Sequence, residues 1–76
     1  MNNKIEIYKN NTLIRRFYFY NLLDGLHYIA NLDFDYIIVD DERTIKRFEF
    51  RRYFETINDF YKRVYGTWYE LEEVFA

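Results

Sequence analysis

The chain has 76 residues, neither cysteine nor proline, and a formal net charge of −2 from 11 basic and 13 acidic side chains. Without cysteine, disulfides and thiolate metal sites are excluded. The slightly acidic balance is not the footprint of a strong duplex nucleic-acid binder, which carries a basic excess. The longest uncharged runs are far too short to span a membrane. Met1-Asn2-Asn3-Lys4 has no apolar run behind it, so no signal peptide is expected and the reading is a cytoplasmic protein.

A chain of this length forms one domain, residues 1–76, and buries only about 60% of the surface its unfolded form exposes. The residues compensate: 50% are hydrophobic and 24% are aromatic, and large rings bury much area each. Two glycines and no proline leave little material for a disordered linker.

In chain order, Lys4 to Lys9 alternates, with Ile5 and Ile7 on one side and Lys4, Glu6 and Tyr8 on the other, the pattern of a half-buried strand. Asn10-Asn11 is a turn, because Asn tolerates the left-handed conformation of tight hairpins. Leu13 to Tyr20 is a second strand that offers Leu13, Phe17 and Phe19 to the core, with Arg15 as the exception. Facing Ile5 and Ile7 with Leu13 and Phe17 requires an odd-length loop or a bulge, since a plain two-residue turn pairs Ile7 with Ile14. The odd loop is the expectation. Asn21 then reads as a helix N-cap with Asp24 as its capping-box partner. Leu22, Leu23, Leu26, Ile29 and Ala30 line one face of that helix, which ends near Asn31 or Leu32.

The second half opens at Phe34 or Asp35. Tyr36-Ile37-Ile38-Val39 is a strand apolar on both sides, and Asp40-Asp41-Glu42 is its turn. Thr44 to about Phe54 alternates and reads as the longest strand. Thr56, with Asp59, caps the second helix, whose stripe runs through Ile57, Phe60, Tyr61 and Val64. A helix ending near Tyr65, a kink at Gly66 and a short helix after the Thr67–Glu70 capping pattern complete the chain; the apolar stripe, which continues through Trp68, Leu71 and Phe75, also permits one continuous helix.

The two halves repeat. Ile14-Arg15-Arg16-Phe17-Tyr18-Phe19 returns 31 residues later as Ile45-Lys46-Arg47-Phe48-Glu49-Phe50, and at the same offset Ile7 falls on Ile38 and Asn10-Asn11 on Asp41-Glu42. A ββα unit over residues 4–32 is therefore used again over 34–76. The fold class is α+β: a two-layer sandwich, ββαββα, with an antiparallel sheet and both helices on one face.

Helices on one face leave the other face of the sheet bare. In this reading it carries Tyr8, Ile14, Arg16, Tyr18, Tyr20, Ile37, Val39, Ile45, Arg47, Arg51 and Tyr53, too apolar and aromatic for a merely solvated surface. Arg and Tyr are enriched at binding hot spots. The candidate partner-binding residues are Tyr8, Arg16, Tyr18, Tyr20, Arg47, Glu49, Arg51 and Tyr53, with the acidic turn Asp40, Asp41 and Glu42. The bland alternative is that Trp68–Phe75 folds over part of this face. Rings interleaved with Arg can also stack single-stranded bases, but alternation splits the basic residues between two faces. A homodimer through the same face is a further arrangement.

No catalytic, metal or cofactor role is assigned. His27, the one histidine, has no nucleophile at motif spacing to serve. Asp33, Asp35 and the Asp40–Glu42 run lack the spacing of a calcium loop, and there is no glycine-rich phosphate loop.

Single-domain length, a composition rich in Asn, Ile, Tyr and Phe, the absence of cysteine, the aromatic hairpins at Ile14–Phe19 and Ile45–Phe50 and the acidic turn at Asp40–Glu42 give the chain a type. It resembles the compact α+β inhibitors of phages and mobile elements, the anti-CRISPR and anti-restriction proteins. The resemblance is carried by no family motif and transfers no residue. It implies a non-enzymatic module that occupies the surface of a host protein and needs no cofactor.

Overall fold

The structure, a computed structural model that describes residues 2–76, runs β1 (Asn3–Lys9), β2 (Thr12–Phe19), α1 (Leu22–Ile29), β3 (Tyr36–Val39), β4 (Arg43–Lys46), α2 (Arg47–Tyr65) and α3 (Leu71–Val74). The strands form one antiparallel sheet in the order β2-β1-β3-β4. Ile5, Ile7, Ile37, Val39 and Ile45 point from one face into a core shared with Leu23, Leu26 and Ile29 of α1 and Phe50 and Phe54 of α2. This is the α+β sandwich that the alternation predicts, with both helices on one face.

The first hairpin turns through Asn10 and Asn11, whose φ angles of 52° and 61° are both left-handed. Lys9 pairs with Thr12 across a two-residue loop, so the odd loop expected from the sequence is absent. The bulge supplies the parity instead. The register shifts between Ile7 and Tyr8, leaving Ile14 as the extra residue and setting Ile5 opposite Phe17 and Ile7 opposite Arg15. Leu13 pairs with Tyr8 and is exposed, not in the core. Asn21 caps α1 as read: its Oδ1 accepts from the Asp24 N–H at 2.7 Å.

The second unit departs from the first. β4 stops at Lys46, and the expected strand from Thr44 to Phe54 is mostly helix. The Glu49 carboxylate accepts from the Lys46 N–H at 3.0 Å, which satisfies one orphan donor at the start of α2. Phe50 and Phe54, one helical turn apart, then both reach the core. The sequence repeat had placed Phe48 beside Phe50 on the buried side; on a helix they separate, and Phe48 is 82% exposed. Thr56 caps nothing. It sits inside α2 with its hydroxyl donating to the Arg52 carbonyl at 3.1 Å. The duplication is thus partial: both halves begin as hairpins and end in helix, but their strands differ in length. The turns are also one residue out of step with the sequence repeat, because the left-handed pair is Asp40 and Asp41 rather than Asp41 and Glu42.

Gly66, left-handed at φ 68°, ends α2 where a helix end was expected. The chain beyond it packs on the helices, not on the open sheet face. Asn58, buried on α2, grips Tyr69 at both ends: its Nδ2 donates to the Tyr69 carbonyl at 2.9 Å, and its Oδ1 accepts from the Tyr69 N–H at 2.8 Å. The Tyr69 ring lies flat on His27, 3.9 Å between centroids. Val74 enters the core, and Phe75 meets Phe50 and Phe54 edge-on. The short helix starts only at Leu71, with no cap from Thr67.

Two expected outcomes follow from this packing. A Cβ added at Gly25 would stand 2.6 Å from Cδ2 of Phe19 and 2.9 Å from Cδ1 of Ile5. Gly25→Ala gains ~1 kcal/mol of helix propensity but costs ~1–3 kcal/mol in overpacking, so the variant should lose about 1 kcal/mol in urea titration. Equal or greater stability would mean that α1 is not pressed onto the sheet as described. The second concerns Tyr69, whose hydroxyl donates to Asp24 at 2.5 Å; this bond first, and burial second, push its pKa from 10.0 up to about 12. The folded chain holds the proton more tightly than the unfolded chain, so the contribution is complete below pH 10 and is lost as pH rises toward 12. Tyr69→Phe should therefore show a shallower decline of urea midpoint across that window than the unsubstituted chain.

Candidate functional site

The face of the sheet turned away from the helices is assembled by register. Cross-strand pairing puts Lys4, Glu6 and Tyr8 of β1 beside Arg16 and Tyr18 of β2 and Tyr36 and Ile38 of β3, with Thr44 and Lys46 of β4 beyond. Opposite residues share a face. Tyr8 and Tyr36 stack at 4.8 Å with rings 8° from parallel. Tyr18 is 61% exposed. At the centre, Glu6 is only 7% exposed, and Arg16 covers it, donating through Nε at 3.1 Å and Nη2 at 3.0 Å to the same carboxylate oxygen. That bond to Glu6 is the main cause holding the guanidinium pKa above its ordinary value. Among the described residues no buried side-chain nitrogen or oxygen is left without a partner.

Of the candidate residues, Tyr8, Arg16 and Tyr18 are brought together here. The others are not. Tyr20 lies past the end of β2, edging a hollow with Tyr61 and Tyr65. Arg47, Glu49, Arg51 and Tyr53 were assigned to this face as strand residues, but they belong to α2, in the other layer. Arg47 donates to the Ala30 carbonyl at 3.1 Å and lies over Phe34 at 4.2 Å. Arg51 pairs with Glu55 at 3.4 Å and covers Phe75. Tyr53 is half-buried beneath Arg43 at 5.1 Å, and burial raises its pKa against the opposing pull of Arg43. Ile37, Val39 and Ile45, also expected on the open face, are core residues.

The acidic turn is largely engaged within the fold. Asp40 accepts from the Lys4 N–H at 2.7 Å and from Asn3 Nδ2 at 3.0 Å, and Asp41 pairs with Lys4 Nζ at 2.6 Å. The bond to Asp41 raises the Lys4 pKa. Glu42 is exposed. Among the described residues no group of three or more His, Cys, Asp or Glu side chains is gathered as a metal ion would require, and no helix is long and apolar enough to cross a membrane.

Sequence reasoning missed Tyr36 and Ile38 as face residues, and left Glu6, which alternation places on this side of β1, out of the candidate site. A signal was present: aligning Asn10-Asn11 with Asp40-Asp41, both pairs suited to left-handed turns, gives β3 the parity that is observed. The chain matches no protein-family model, no curated protein and no solved structure.

The Glu6–Arg16 pair generates an expected outcome. Arg16→Ala leaves a nearly buried carboxylate without its cation and should destabilise by about 2 kcal/mol. Replacing both, Glu6→Val with Arg16→Thr, should recover most of that loss, because no charge is then stranded. Urea titration of the unsubstituted chain, of Glu6→Val and Arg16→Thr singly, and of the double variant measures the coupling; additive effects would deny the pair a place at the centre of the face.

Proposed function

We propose that the protein is a small non-enzymatic binding module, of the type that phages and mobile elements use to block a host defence protein, and that it acts by laying the open sheet face on its partner. The observation that carries this reading is the bare face itself: Tyr8, Tyr18, Tyr36 and Ile38 arranged around an Arg16–Glu6 pair, with the C-terminal segment packed on the opposite layer. Stacking fixes the Tyr8 and Tyr36 rings before any partner arrives, and the double hydrogen bond fixes Arg16. Preordered aromatic and arginine side chains lose little entropy on binding, which is what makes such groups effective anchors.

The test is capture from bacterial lysate by the tagged protein, with and without nuclease. A protein band that survives nuclease is the expected result. Tyr8→Ala with Tyr18→Ala, shown folded by circular dichroism, should weaken that capture by roughly 30-fold or more, since even one anchor residue of this kind carries about 2 kcal/mol. A folded double variant that holds the partner at full affinity would remove the open face from the interface. Recovery of nucleic acid alone would move the assignment to a single-stranded nucleic-acid binder on the same face, and a pure dimer that captures nothing would make the face a self-interface.

A further inference from the structure

A second surface lies at the edge of the sheet, away from the open face. β4 and α2 enclose a groove of about 460 Å³ lined by Arg43, Ile45, Phe48, Glu49, Arg52 and Tyr53. Its floor is apolar, through Ile45 and the half-buried Tyr53. Its rim holds Phe48, whose exposure serves no packing purpose within the chain.

One wall of the groove is unsatisfied main chain. The Arg47 N–H donates to the Asp35 carbonyl at 2.8 Å. That makes Asp35 and Arg47 a hydrogen-bonded pair, and the alternation of an antiparallel ladder then turns the N–H and C=O of Thr44 away from β3. β4 is an edge strand, so these groups face outward. The next outward donor, the Lys46 N–H, is taken by Glu49. Thr44 is therefore the place where an added strand would first bond.

Both walls carry free charge, Arg43 on β4 and Arg52 on α2. Arg43 and Arg52 take part in no ion pair among the described residues, whereas Arg51 and Arg63 on the same helix each pair four residues along, with Glu55 and Asp59. The acids nearest Arg52 on its own helix are Glu49 and Glu55, and both are engaged elsewhere, by the Lys46 N–H and by Arg51. Two unpaired guanidinium groups beside an open strand edge, in a chain of net charge −2, define an anionic and extended occupant.

We propose that this groove accepts an extended acidic segment of a partner protein as a fifth strand, its main chain bonded to Thr44 and its carboxylates set against Arg43 and Arg52. A second copy of this chain is a poorer occupant. Its long edge strand, β2, carries Arg15, which meets Arg43 and Arg52 with like charge, and its acidic turn is tied to Lys4. Nucleic acid is also poorer, because the main-chain groups of Thr44 match a peptide ladder.

The experiment selects random linear peptides displayed on phage against the intact protein, with Arg43→Glu plus Arg52→Glu as the counter-target. Enriched sequences should alternate acidic and apolar residues. Labelled synthetic copies should shift the amide resonances of Thr44, Phe48 and Arg52, bind the double variant roughly tenfold or more weakly, and lose binding when their backbone is N-methylated. Thr44→Pro should also abolish binding while folding normally, because that N–H serves no bond in the sheet and proline is tolerated at such edge positions. Tyr8→Ala with Tyr18→Ala should leave peptide binding unchanged, which separates this site from the open face. The proposal is overturned by enriched peptides without acidic residues, by shifts confined to other surfaces, or by no enrichment over the double variant. It is equally overturned by an oligonucleotide that binds the same residues more tightly than the peptides, or by self-association that broadens the same resonances.

Discussion

One extra residue, Ile14, decides what each layer of the molecule is made of. The two-residue turn at Asn10-Asn11 closes the hairpin with the twist that antiparallel strands require. Continued without interruption, that register would set Ile5 opposite Arg16 and drive a guanidinium into the helical layer while Phe17 and Phe19 faced water. The bulge moves every later residue of β2 to the other face. Phe17 and Phe19 then pack against α1, and Arg16 arrives over Glu6. Leaving one residue out of the ladder costs about one hydrogen bond, while each phenylalanine withdrawn from solvent returns a comparable amount or more.

The close approach of α1 depends on the same shift. Phe19 now lies beneath Gly25, and a side chain at that position would collide with it. Glycine inside a helix is unfavourable by itself, so its presence is explained by contact rather than by conformation: its backbone is ordinary helix. The bulged hairpin, the glycine and the capped start of α1 form one arrangement, in which local preference and tertiary packing agree.

Much of this was legible in the residues. Alternation located β1 and β2, a continuous apolar run located β3, Asn21 announced α1, and Gly66 announced the end of α2. The failure lies at Lys46–Phe54, and its cause is physical. Phe48, Phe50 and Phe54 share a side in a strand, while Phe50 and Phe54 also share a side in a helix, so periodicity alone does not decide. The sequence repeat favoured the strand. What decides is composition and capping: after Ile45 there is no β-branched residue until Thr56, Arg and Glu are good helix formers, and Glu49 stands three residues after Lys46 to take its N–H. The site suffered from the same error. Residues assigned to one face through an imagined long strand were divided between two layers, and only Tyr8, Arg16 and Tyr18 stayed together.

Charge placement separates the surfaces that serve the fold from those left over. Lys4 with Asp41, Lys9 with Asp33 and Asp40 with the β1 backbone tie turns to strands, and Arg47 ties α2 to the end of α1. These groups lie in conspicuous runs of sequence, yet their partners are internal. Glu49 shows how one carboxylate serves two ends at once. It satisfies a donor at the start of α2, and by holding the Lys46 N–H it also removes one outward bond from an edge strand that would otherwise invite indiscriminate pairing. β4 is short for the same reason: the chain leaves the sheet as soon as Glu49 can close the helix. The edge is thereby reduced to Thr44, flanked by arginines that no carboxylate of the fold neutralises, and the chemistry of that remnant, not its length, limits what can add to it.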